Sequence, residues 1–483
     1  MSEPRRLQAV LRTWADRQPG AIALEAARSD LVVTYGELAR TAERWRAALG
    51  DDPGTVLVTV AEPVALAVVL VGVISAGGRA VAVDPTTPRD SLRRLLGRLG
   101  ERVRQAVPAG ADAVVPGRIE IDRAGRPIGV ERQAAPAPSI GASLLFTSGS
   151  SGVPKGVELS EERLLAVARQ VARNQSLTTD DRGFNPLPLF HVNAQVVGVL
   201  ATLVSGGTLV LDARFHRTGF WPGLAERGIT WLNAVPAVLA VLARTGAVEP
   251  PPSLRFIRSA SAPLPDPVRR AFGATPFVVS WGMTEAASQI TGTPPTLDLR
   301  PGLVGFPLGA EVEARDGDGR ALAAGERGEL WIRGDGVVRG YLDGVAADRF
   351  DQDAWLRTGD VGHLEPDGQV VVSGRADDVI NRGGELVDPA EVEAVLLQDD
   401  RVQEAAVVPR RSEVLGQEAV ALVVLAPGAD ASGVEDALRD RAAAHLPSAK
   451  RPAVVHVVRD LPRSTAGKVS RRLAAAALEE TAR

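Results

Sequence analysis

The segment from residue 55 to residue 88 has the pattern of two strands joined by a helix. Thr55–Val60 and Arg79–Val83 are short apolar runs of strand length, and Pro63–Ser75 between them has the length and the N-terminal proline of a helix. The turn residues Asp84–Pro88 close this βαβ unit. Because similar short apolar runs alternate with helical patterns over most of the chain, the sequence predicts an α/β fold.

The pattern changes in the second half of the chain. Strand-like runs with turn signals around residues 312–320 and 328–333 predict a smaller β-rich subdomain. Segments 105–117 and 132–143 are rich in Ala, Pro and Gly, and we interpret them as loops or short edge elements. The C-terminal part has the size of a separate domain, with a helix predicted over 389–397, strands over 402–408 and 418–425, a helix over 433–445, a strand over 453–458 and a last helix after Gly467.

The composition excludes several kinds of site and partner. The 483-residue chain contains no cysteine, which excludes disulfides, thiolate metal sites and cysteine nucleophiles. Its net charge of −4 favours neither nucleic acid nor an anionic membrane as a partner. The N-terminus is polar and amphipathic rather than a signal peptide, and the apolar run Val64–Ser75 is too short to span a bilayer. We therefore expect a cytoplasmic protein.

Lysine is scarce in this chain. Only Lys155, Lys450 and Lys468 are lysines among the 55 basic residues. Genomic base composition accounts for the excess of arginine, but a compact ammonium group and a planar guanidinium are not interchangeable at a tight phosphate site. The positions that keep lysine are therefore candidates for function.

One of these lysines lies in the stretch Leu144–Val157, which reads LLFTSGSSGVPKGV. The stretch is not a Walker P-loop, because Pro154 stands where that motif has glycine and Gly156 follows the lysine. Its hydroxyls and glycines suit an anion nest for polyphosphate with Lys155 supplying charge, while composition alone allows a flexible Gly/Ser loop equally well. Ser160 is predicted to cap a helix whose first turn holds Glu161 and Glu162.

This stretch is one of a series of motifs in a fixed order. The other members are Val33–Leu38, Ala76–Pro85, Pro188–His191, Ser259–Pro263, Trp281–Glu285, Gly328–Glu329, Arg357–Asp360, Gly374–Asp378, Gly383–Glu385 and Pro462–Lys468. The series resembles the adenylate-forming superfamily, which includes acyl-CoA synthetases, peptide-synthetase adenylation domains and beetle luciferases. The resemblance covers the chain from about Val33 to the C-terminus.

The resemblance implies a fold and a two-step reaction. The fold would be a large N-terminal α/β domain over 1–374, made of two sheet subdomains and the small β-rich subdomain, with a small mobile α+β domain over 375–483 and a hinge near Asp377. A carboxylate would attack the α-phosphate of MgATP to give an acyl-adenylate and pyrophosphate. A thiol, usually that of coenzyme A, would then displace AMP. Catalysis would rest on positioning and charge neutralisation.

For the triphosphate and its metal ion, the resemblance assigns Glu285 to Mg²⁺, since a hard cation takes carboxylate oxygens. Thr284 would donate to the α-phosphate. The β- and γ-phosphates would be bound by Lys155 and the loop residues Thr147, Ser148, Gly149, Ser150, Ser151 and Gly152. A glutamate found alone would more often be a capped or solvated residue than a metal ligand.

For the nucleoside, the resemblance assigns the adenine to Trp281, where the family usually has tyrosine; an indole can stack but offers no phenol. Asp360 would accept both ribose hydroxyls, and Arg375 would contact the ribose or the phosphates. The remaining candidate contacts are Gly282 and, on the other side of the adenine, Ser261, Ala262 and Pro263.

The C-terminal domain would supply the catalytic lysine and the thiol path. Lys468 would bridge the carboxylate and the α-phosphate in the transition state. Rotation about Asp377 would replace it with a surface on which Gly383 and Gly384 leave room for a pantetheine arm. The family often has lysine where this chain has Asn381, which leaves that contact open, and Lys450 is interpreted as a surface residue.

The sequence says least about the identity of the acid substrate. The stretch after His191 lacks the aspartate with which amino-acid-activating relatives hold an α-amine, and His191 is a candidate gate between the acid and ATP sites. The predicted pocket residues are Val192, Asn193, Asn233, Ala260, Ser280, Met283, Ala287 and Ser288, beside Gly282. Several are polar, which favours a small or medium organic or aromatic acid with polar substituents over a long fatty chain.

Two alternatives to a CoA ligase stay open in the sequence. The acyl acceptor could be the pantetheine of a carrier protein, an amine or another nucleophile. In a more remote alternative the chain is a non-catalytic nucleotide-binding protein, which the presence of Lys468, Glu285 and Asp360 disfavours. The sequence leaves the oligomeric state open.

Overall fold

The computed structural model describes residues 4–99, 103–115, 117–129, 140–147, 155–244, 248–383, 385–412, 414–463 and 469–481. The strands of these residues form four sheets. Three lie in the N-terminal part and one in the C-terminal part, which confirms the predicted α/β architecture. None of the described helices combines the length and the apolar character needed to cross a bilayer.

Helices cover the sheets of both parts. The α-helices are α1 (Leu7–Arg17), α2 (Tyr35–Leu49), α3 (Pro63–Ser75), α4 (Arg89–Leu96), α5 (Glu161–Asn174), α6 (Ala201–Ser205), α7 (Phe220–Glu226), α8 (Pro236–Ala243), α9 (Asp266–Arg270), α10 (Pro389–Leu396), α11 (Val434–His445) and α12 (Arg471–Thr481). A π-helical segment, Ala194–Leu200, precedes α6. Ser160 caps α5 as predicted, since its Oγ accepts a hydrogen bond from the backbone N–H of Arg163.

The first sheet contains the predicted βαβ unit. Its strands, in spatial order, are β6 (Gly117–Ile121), β5 (Val103–Pro108), β3 (Thr55–Val58), β4 (Arg79–Ala82), β7 (Ala142–Thr147) and β8 (Lys155–Ser160). Strands β3 and β4 run parallel, and α3 connects them. Every residue of α3 from Val64 to Ser75 is buried, which explains why this helix is apolar on all sides.

The interpretation of 105–117 as a loop or an edge element is only partly correct. Strand β5 pairs with β3 on one side and with β6 on the other, so it is an interior strand, and β6 forms the edge. The residues Gln105, Ala106 and Val107 are buried, although the Ala, Pro and Gly around them read as a loop. Of the segment 132–143, residues 132–139 lie outside the described part of the chain, and Ala142 begins β7.

The second sheet positions three of the predicted pocket residues, since Asn233 lies on one of its strands and Ala260 and Ser280 directly follow two others. Its strands, in spatial order, are β13 (Phe277–Val279), β12 (Phe256–Ser259), β11 (Trp231–Ala234), β9 (Arg182–Asn185), β10 (Thr208–Leu211), β1 (Ile22–Ala26) and β2 (Val32–Thr34). All neighbouring strands pair in parallel except β1 with β2. The carboxyl ends of β9, β11, β12 and β13 therefore lie side by side at one edge, where ligands bind in sheets of this kind.

The third sheet is antiparallel and forms the predicted β-rich subdomain. Its strands, in spatial order, are β14 (Thr291–Gly292), β15 (Leu303–Pro307), β19 (Val370–Arg375), β18 (Leu356–Leu364), β17 (Gly328–Gly334) and β16 (Ala310–Arg315). Strand β14 follows soon after β13, so the third sheet lies directly downstream of the predicted nucleotide motif Trp281–Glu285.

The C-terminal sheet packs against α10, α11 and α12 around its own hydrophobic core. Its strands are β20 (Ile380–Arg382), β21 (Glu385–Val387), β22 (Val402–Ser412), β23 (Gly416–Leu425) and β24 (Val454–Val457). The predicted helices and strands of this part are confirmed, with β22 longer than expected. Two ion pairs, Arg327 with Asp388 and Arg244 with Glu404, connect this part to the rest of the chain.

Candidate active site

The motif Trp281–Glu285 forms a strained turn directly after β13. Thr284, Glu285 and Ala286 form one turn of 3₁₀-helix, and the two residues after this turn, Ala287 and Ser288, adopt φ angles of 49° and 91°, which residues other than glycine rarely do. A Cβ atom at Gly282 would lie 1.7 Å from the carbonyl oxygen of Ser288, so only glycine fits there. Strain of this kind is found at sites that need a fixed geometry.

The turn presents the Glu285 carboxylate to two side chains from the segment between β17 and β18 of the third sheet. The Tyr341 hydroxyl donates to Glu285 Oε1 at 2.6 Å, and Arg349 Nη1 donates to the same oxygen at 3.1 Å. Burial, followed by the negative charge of Glu285, raises the pKa of Tyr341, so this phenol stays protonated and acts as a donor. Among the described residues no hydrogen bond to Oε2 is found, and that oxygen is free to bind a cation.

The residues around Glu285 fit a magnesium ion that is also bound by phosphates. No group of three or more His, Asp or Glu side chains in the described ranges could hold a metal by itself. Mg²⁺ commonly takes one or two carboxylates together with substrate phosphate oxygens, so a single glutamate is sufficient. The ammonium group of Lys155 lies 5.2 Å from the centre of the Tyr341 ring, which places the end of the predicted phosphate loop beside Glu285.

Thr147 and Lys155 flank the predicted phosphate loop as cross-strand partners on β7 and β8. The hydroxyl of Thr147 donates to the backbone carbonyl of Lys155 at 3.5 Å. The loop residues Ser148, Gly149, Ser150, Ser151 and Gly152 lie outside the described part of the chain.

Asp360, the predicted ribose ligand, is bound from two sides. Trp281 Nε1 donates to Asp360 Oδ2 at 2.8 Å, and Arg375 Nη1 donates to Asp360 Oδ1 at 2.9 Å. Burial lowers the pKa of the Arg375 guanidinium, but the carboxylates of Asp360, Asp377 and Asp378 together outweigh burial and raise this pKa above its usual value. Two hydrogen bonds leave lone pairs on both carboxylate oxygens for a diol. The structure thus brings together three residues that are distant in sequence and were predicted separately.

The Trp281–Asp360 hydrogen bond was not predicted from the sequence. The indole is 8% exposed and packs in the hydrophobic core beside the third sheet, so its N–H needs a partner inside the protein. The substitution of tryptophan for the usual tyrosine was the available signal. Ser261, predicted on the other side of the adenine with Ala262 and Pro263, follows β12 with a φ of 76°.

A buried polar cluster lies at the carboxyl ends of β9, β11, β12 and β13. Asn233 Nδ2 donates to Asn185 Oδ1 at 2.8 Å and to Asn193 Oδ1 at 2.9 Å. We call this set the Asn–Arg cluster; its members are Asn185, Asn193, Asn233, Arg258, Ser280 and Gln289. The sequence predicted Asn193, Asn233 and Ser280, and it missed the other three. An arginine inside the apolar strand Phe256–Ser259 was the signal for Arg258.

The other predicted pocket residues surround this cluster with different degrees of burial. Val192, Ala260 and Ser288 are buried, Ala287 is completely buried, and Met283 is half-buried. His191, the candidate gate, is exposed, and its ring centre lies 4.8 Å from that of Phe190.

The predicted C-terminal site residues have local structural roles as well. Asp377 lies in the 3₁₀ turn Ala376–Asp378, whose Asp378 accepts from Arg471 at 2.6 Å. Gly383 forms the tip between β20 and β21 with a φ of 61°. The backbone N–H of Asn381 donates to Gln417 Oε1, and Lys450 pairs with both oxygens of Glu391. Gly384 and Lys468 lie outside the described residues.

Comparison with known proteins identifies the family. Residues 11–342 match the family described as AMP-binding enzyme, and residues 391–468 match the AMP-binding enzyme C-terminal domain. The chain belongs to the AMP-binding enzyme family. Sulfoacetate–CoA ligase of Cupriavidus necator is 38% identical over 344 residues, which cover 70% of this chain and 67% of that protein. Oxalate–CoA ligase of Arabidopsis thaliana is 34% identical over 350 residues, covering 70% and 68%.

A solved relative shows the reaction intermediate. The o-succinylbenzoate CoA synthetase of Bacillus subtilis, in complex with its acyl-adenylate, matches 96% of this chain and 97% of its own, with a TM-score of 0.79 and 27% identity. The same enzyme has been solved with ATP and a magnesium ion. The present AMP-binding enzyme is therefore an AMP-forming acid–thiol ligase, which activates a carboxylic acid with MgATP and transfers the acyl group to CoA.

Proposed function

We propose that this ligase activates a short, polar-substituted carboxylic acid at the carboxyl edge of the second sheet. The observation that carries the proposal is the Asn–Arg cluster, which is buried and polar where a fatty acid would need an apolar wall. A polar pocket rejects an apolar chain because its own donors and acceptors would lose water without gaining partners.

The acids named for the relatives support this choice. Sulfoacetate, oxalate and o-succinylbenzoate are compact and polar, and none has a long hydrocarbon chain. The amine-binding aspartate of amino-acid-activating relatives has no equivalent in the stretch after His191. We therefore place the present substrate among short organic acids rather than amino acids or fatty acids.

The proposed roles follow the nucleotide across the site. Glu285 binds Mg²⁺, Asp360 binds the ribose, and Lys155 and the loop before it bind the β- and γ-phosphates, which leave as pyrophosphate. Thr284 contacts the α-phosphate, where Lys468 neutralises charge as the carboxylate attacks. Tyr341 and Arg349 support this assignment for Glu285, because they hold one carboxylate oxygen and leave the other available.

The division into domains 1–374 and 375–483 would allow the second step. Rotation about Asp377 would withdraw Lys468 and bring Gly383 and Gly384 to the path of the CoA thiol. The ion pairs Arg327–Asp388 and Arg244–Glu404 would break during this rotation, because each joins one domain to the other.

The test is a pyrophosphate-release screen over a panel of carboxylic acids, with and without CoA, in which mass spectrometry identifies the products. We expect CoA thioesters from short polar acids and none from acids with eight or more carbons in an unbranched chain. Release of pyrophosphate with fatty acids alone would contradict the proposed substrate class. Inclusion of a phosphopantetheinylated carrier protein in a parallel series tests the acceptor.

A further inference from the structure

Arg258 differs from every other buried charged residue in the described part of the chain. Each of the buried acids has an arginine within ion-pair distance; these pairs are Glu161 with Arg6, Asp181 with Arg255, Asp212 with Arg28, Glu285 with Arg349 and Asp388 with Arg327. Arg258 is 0% exposed, and no carboxylate of the described residues pairs with it. Fully buried arginines without an anionic partner are rare in proteins.

The partners of Arg258 are polar but neutral. Its Nη1 donates to Asn233 Oδ1 at 3.2 Å, and its Nη2 donates to Ser280 Oγ at 2.6 Å and to Gln289 Oε1 at 3.3 Å. The Nε–H has no hydrogen-bond partner. A guanidinium has five N–H donors, so the cluster accepts only some of its possible hydrogen bonds and supplies no negative charge to balance it.

The charge persists although burial opposes it. Burial lowers the pKa of Arg258 to about 9, which still leaves the guanidinium protonated at neutral pH. Moving an ion out of water costs free energy that neutral hydrogen-bond partners recover only in part. A fold that needed only a polar contact between β11 and β13 could use a neutral side chain, so the positive charge calls for another explanation.

The position of Arg258 connects that charge with the acid. Arg258 lies on β12, one residue before its carboxyl end, and pairs in register with Asn233 on β11. Asn193 and Ser280 are the most exposed members of the Asn–Arg cluster, at 8% and 4%; Ser280 accepts from the Arg258 guanidinium, and Asn193 accepts from its partner Asn233. Both are predicted pocket residues, and the adenine motif begins at the end of the same strand.

We propose that the acid carries a second anionic group, and that the positive charge of Arg258 selects it. This inference rests on the proposed function, since it concerns the acid bound at the same edge of the sheet. The first carboxylate reacts with ATP, and the second group, a carboxylate or a sulfonate, stays ionised at the Asn–Arg cluster. Carboxylates and sulfonates share the chemistry that a guanidinium recognises, namely several acceptor oxygens and a full negative charge.

Arg258 acts here as a specificity residue that works partly through Asn233 and Ser280. The second anion supplies the missing counter-charge, so an acid of the same shape without that charge leaves the buried guanidinium unpaired. Sites of this kind discriminate strongly, because the analogue pays for desolvation without the compensating contact. A purely structural role for Arg258 predicts no dependence on substrate charge.

The experiment compares matched acids. Malonate and monomethyl malonate share a carbon skeleton and differ in the second charge, and sulfoacetate tests a sulfonate in place of the second carboxylate. We expect kcat/KM of the wild type to be at least about 100-fold higher for malonate, sulfoacetate or both than for monomethyl malonate. The better of the two dianions identifies the kind of anionic group.

Two variants separate charge from structure. Arg258→Met removes the charge at similar length, and it should reduce the ratio of kcat/KM for the better dianion to kcat/KM for monomethyl malonate to tenfold or less. Arg258→Lys keeps the charge and should retain most of the preference. Thermal unfolding and ATP binding show whether each variant is folded. If Arg258→Met does not fold, the test rests on the wild-type ratio of kcat/KM for the dianions to kcat/KM for monomethyl malonate, and on the same ratio in Arg258→Lys.

Equal or higher wild-type kcat/KM for monomethyl malonate or butyrate would overturn the inference and leave the proposed function intact, because a short acid would still be activated. An unchanged dianion preference in folded Arg258→Met would also overturn it. If short acids of neither kind release pyrophosphate, the proposed function itself fails, and the inference fails with it.

Discussion

Replacing Trp281 with phenylalanine tests the binding of the ribose through Asp360. The indole N–H donates to Asp360 Oδ2 at 2.8 Å, and phenylalanine has no donor. A hydrogen bond to a charged group contributes about 1.5–3 kcal/mol. The side chain of Asp360 is 14% exposed and keeps its bond to Arg375, so water and the guanidinium replace part of the loss. We therefore expect the substitution to weaken ATP binding by about 1.5 kcal/mol, which is about a tenfold change in the dissociation constant.

The assay is the ATP dependence of pyrophosphate release at saturating acid. We expect the KM for ATP to rise about tenfold in Trp281→Phe, with a smaller change in kcat, because the role proposed for Asp360 is to bind the ribose rather than the reacting phosphate. With 2′-deoxy-ATP or 3′-deoxy-ATP the effect of the substitution should shrink, since one of the hydroxyls that Asp360 would bind is absent.

The matched control is Trp355→Phe. Trp355 is 4% exposed and belongs to the same subdomain, but its ring contacts the guanidinium groups of Arg315 and Arg333 rather than Asp360. Both substitutions remove ring volume from a buried site and should lower the melting temperature. A KM for ATP that is unchanged in Trp281→Phe, or raised equally in Trp355→Phe, would refute the proposed role of the hydrogen bond.

Three further predictions address the metal, the catalytic lysine and the hinge. Tyr341→Phe removes the 2.6 Å hydrogen bond that orients Glu285. The Mg²⁺ concentration for half-maximal activity should rise about tenfold, which corresponds to the low end of the free energy of a hydrogen bond to a charged group. An unchanged Mg²⁺ titration would contradict this prediction. Lys468→Ala should abolish acid-dependent exchange of pyrophosphate into ATP and leave thiolysis of a supplied acyl-adenylate largely intact, whereas normal exchange would exclude the assigned role. Asp377→Pro should stiffen the hinge, sparing exchange and blocking CoA thioester formation; equal loss of both steps would count against rotation.

Local patterns in the sequence predicted much of the fold. Helix α3 begins and ends at the predicted residues, because the proline at its start and the glycines after it act over a few positions. The Ser160 cap was equally predictable, since the hydroxyl binds an N–H three residues away. The segment 105–117 was harder: its few buried residues become a strand only because β3 and β6 lie on either side.

The candidate site also has a part that the sequence predicted and a part that it did not. The order of the motifs identified the nucleotide chemistry, because each motif is a short stretch whose residue types can be read directly. The contacts between motifs could not be predicted from the sequence. Trp281 and Asp360 are 79 positions apart, and Glu285 meets Tyr341 across 56 positions. Such pairs form where a strained turn and two sheets meet, and no local periodicity encodes their distance.

The sequence by itself determined the fold class, the order of the elements and the family chemistry, since these depend on hydrophobic periodicity and on short motifs. Only the tertiary structure decided what surrounds each functional side chain. Arg258 illustrates the difference: in the sequence it is one arginine among many, and its burial beside neutral partners appears only when four parallel strands are aligned. The physical reason is that the energy of a charge depends on its surroundings, and residues far apart in the chain supply those surroundings.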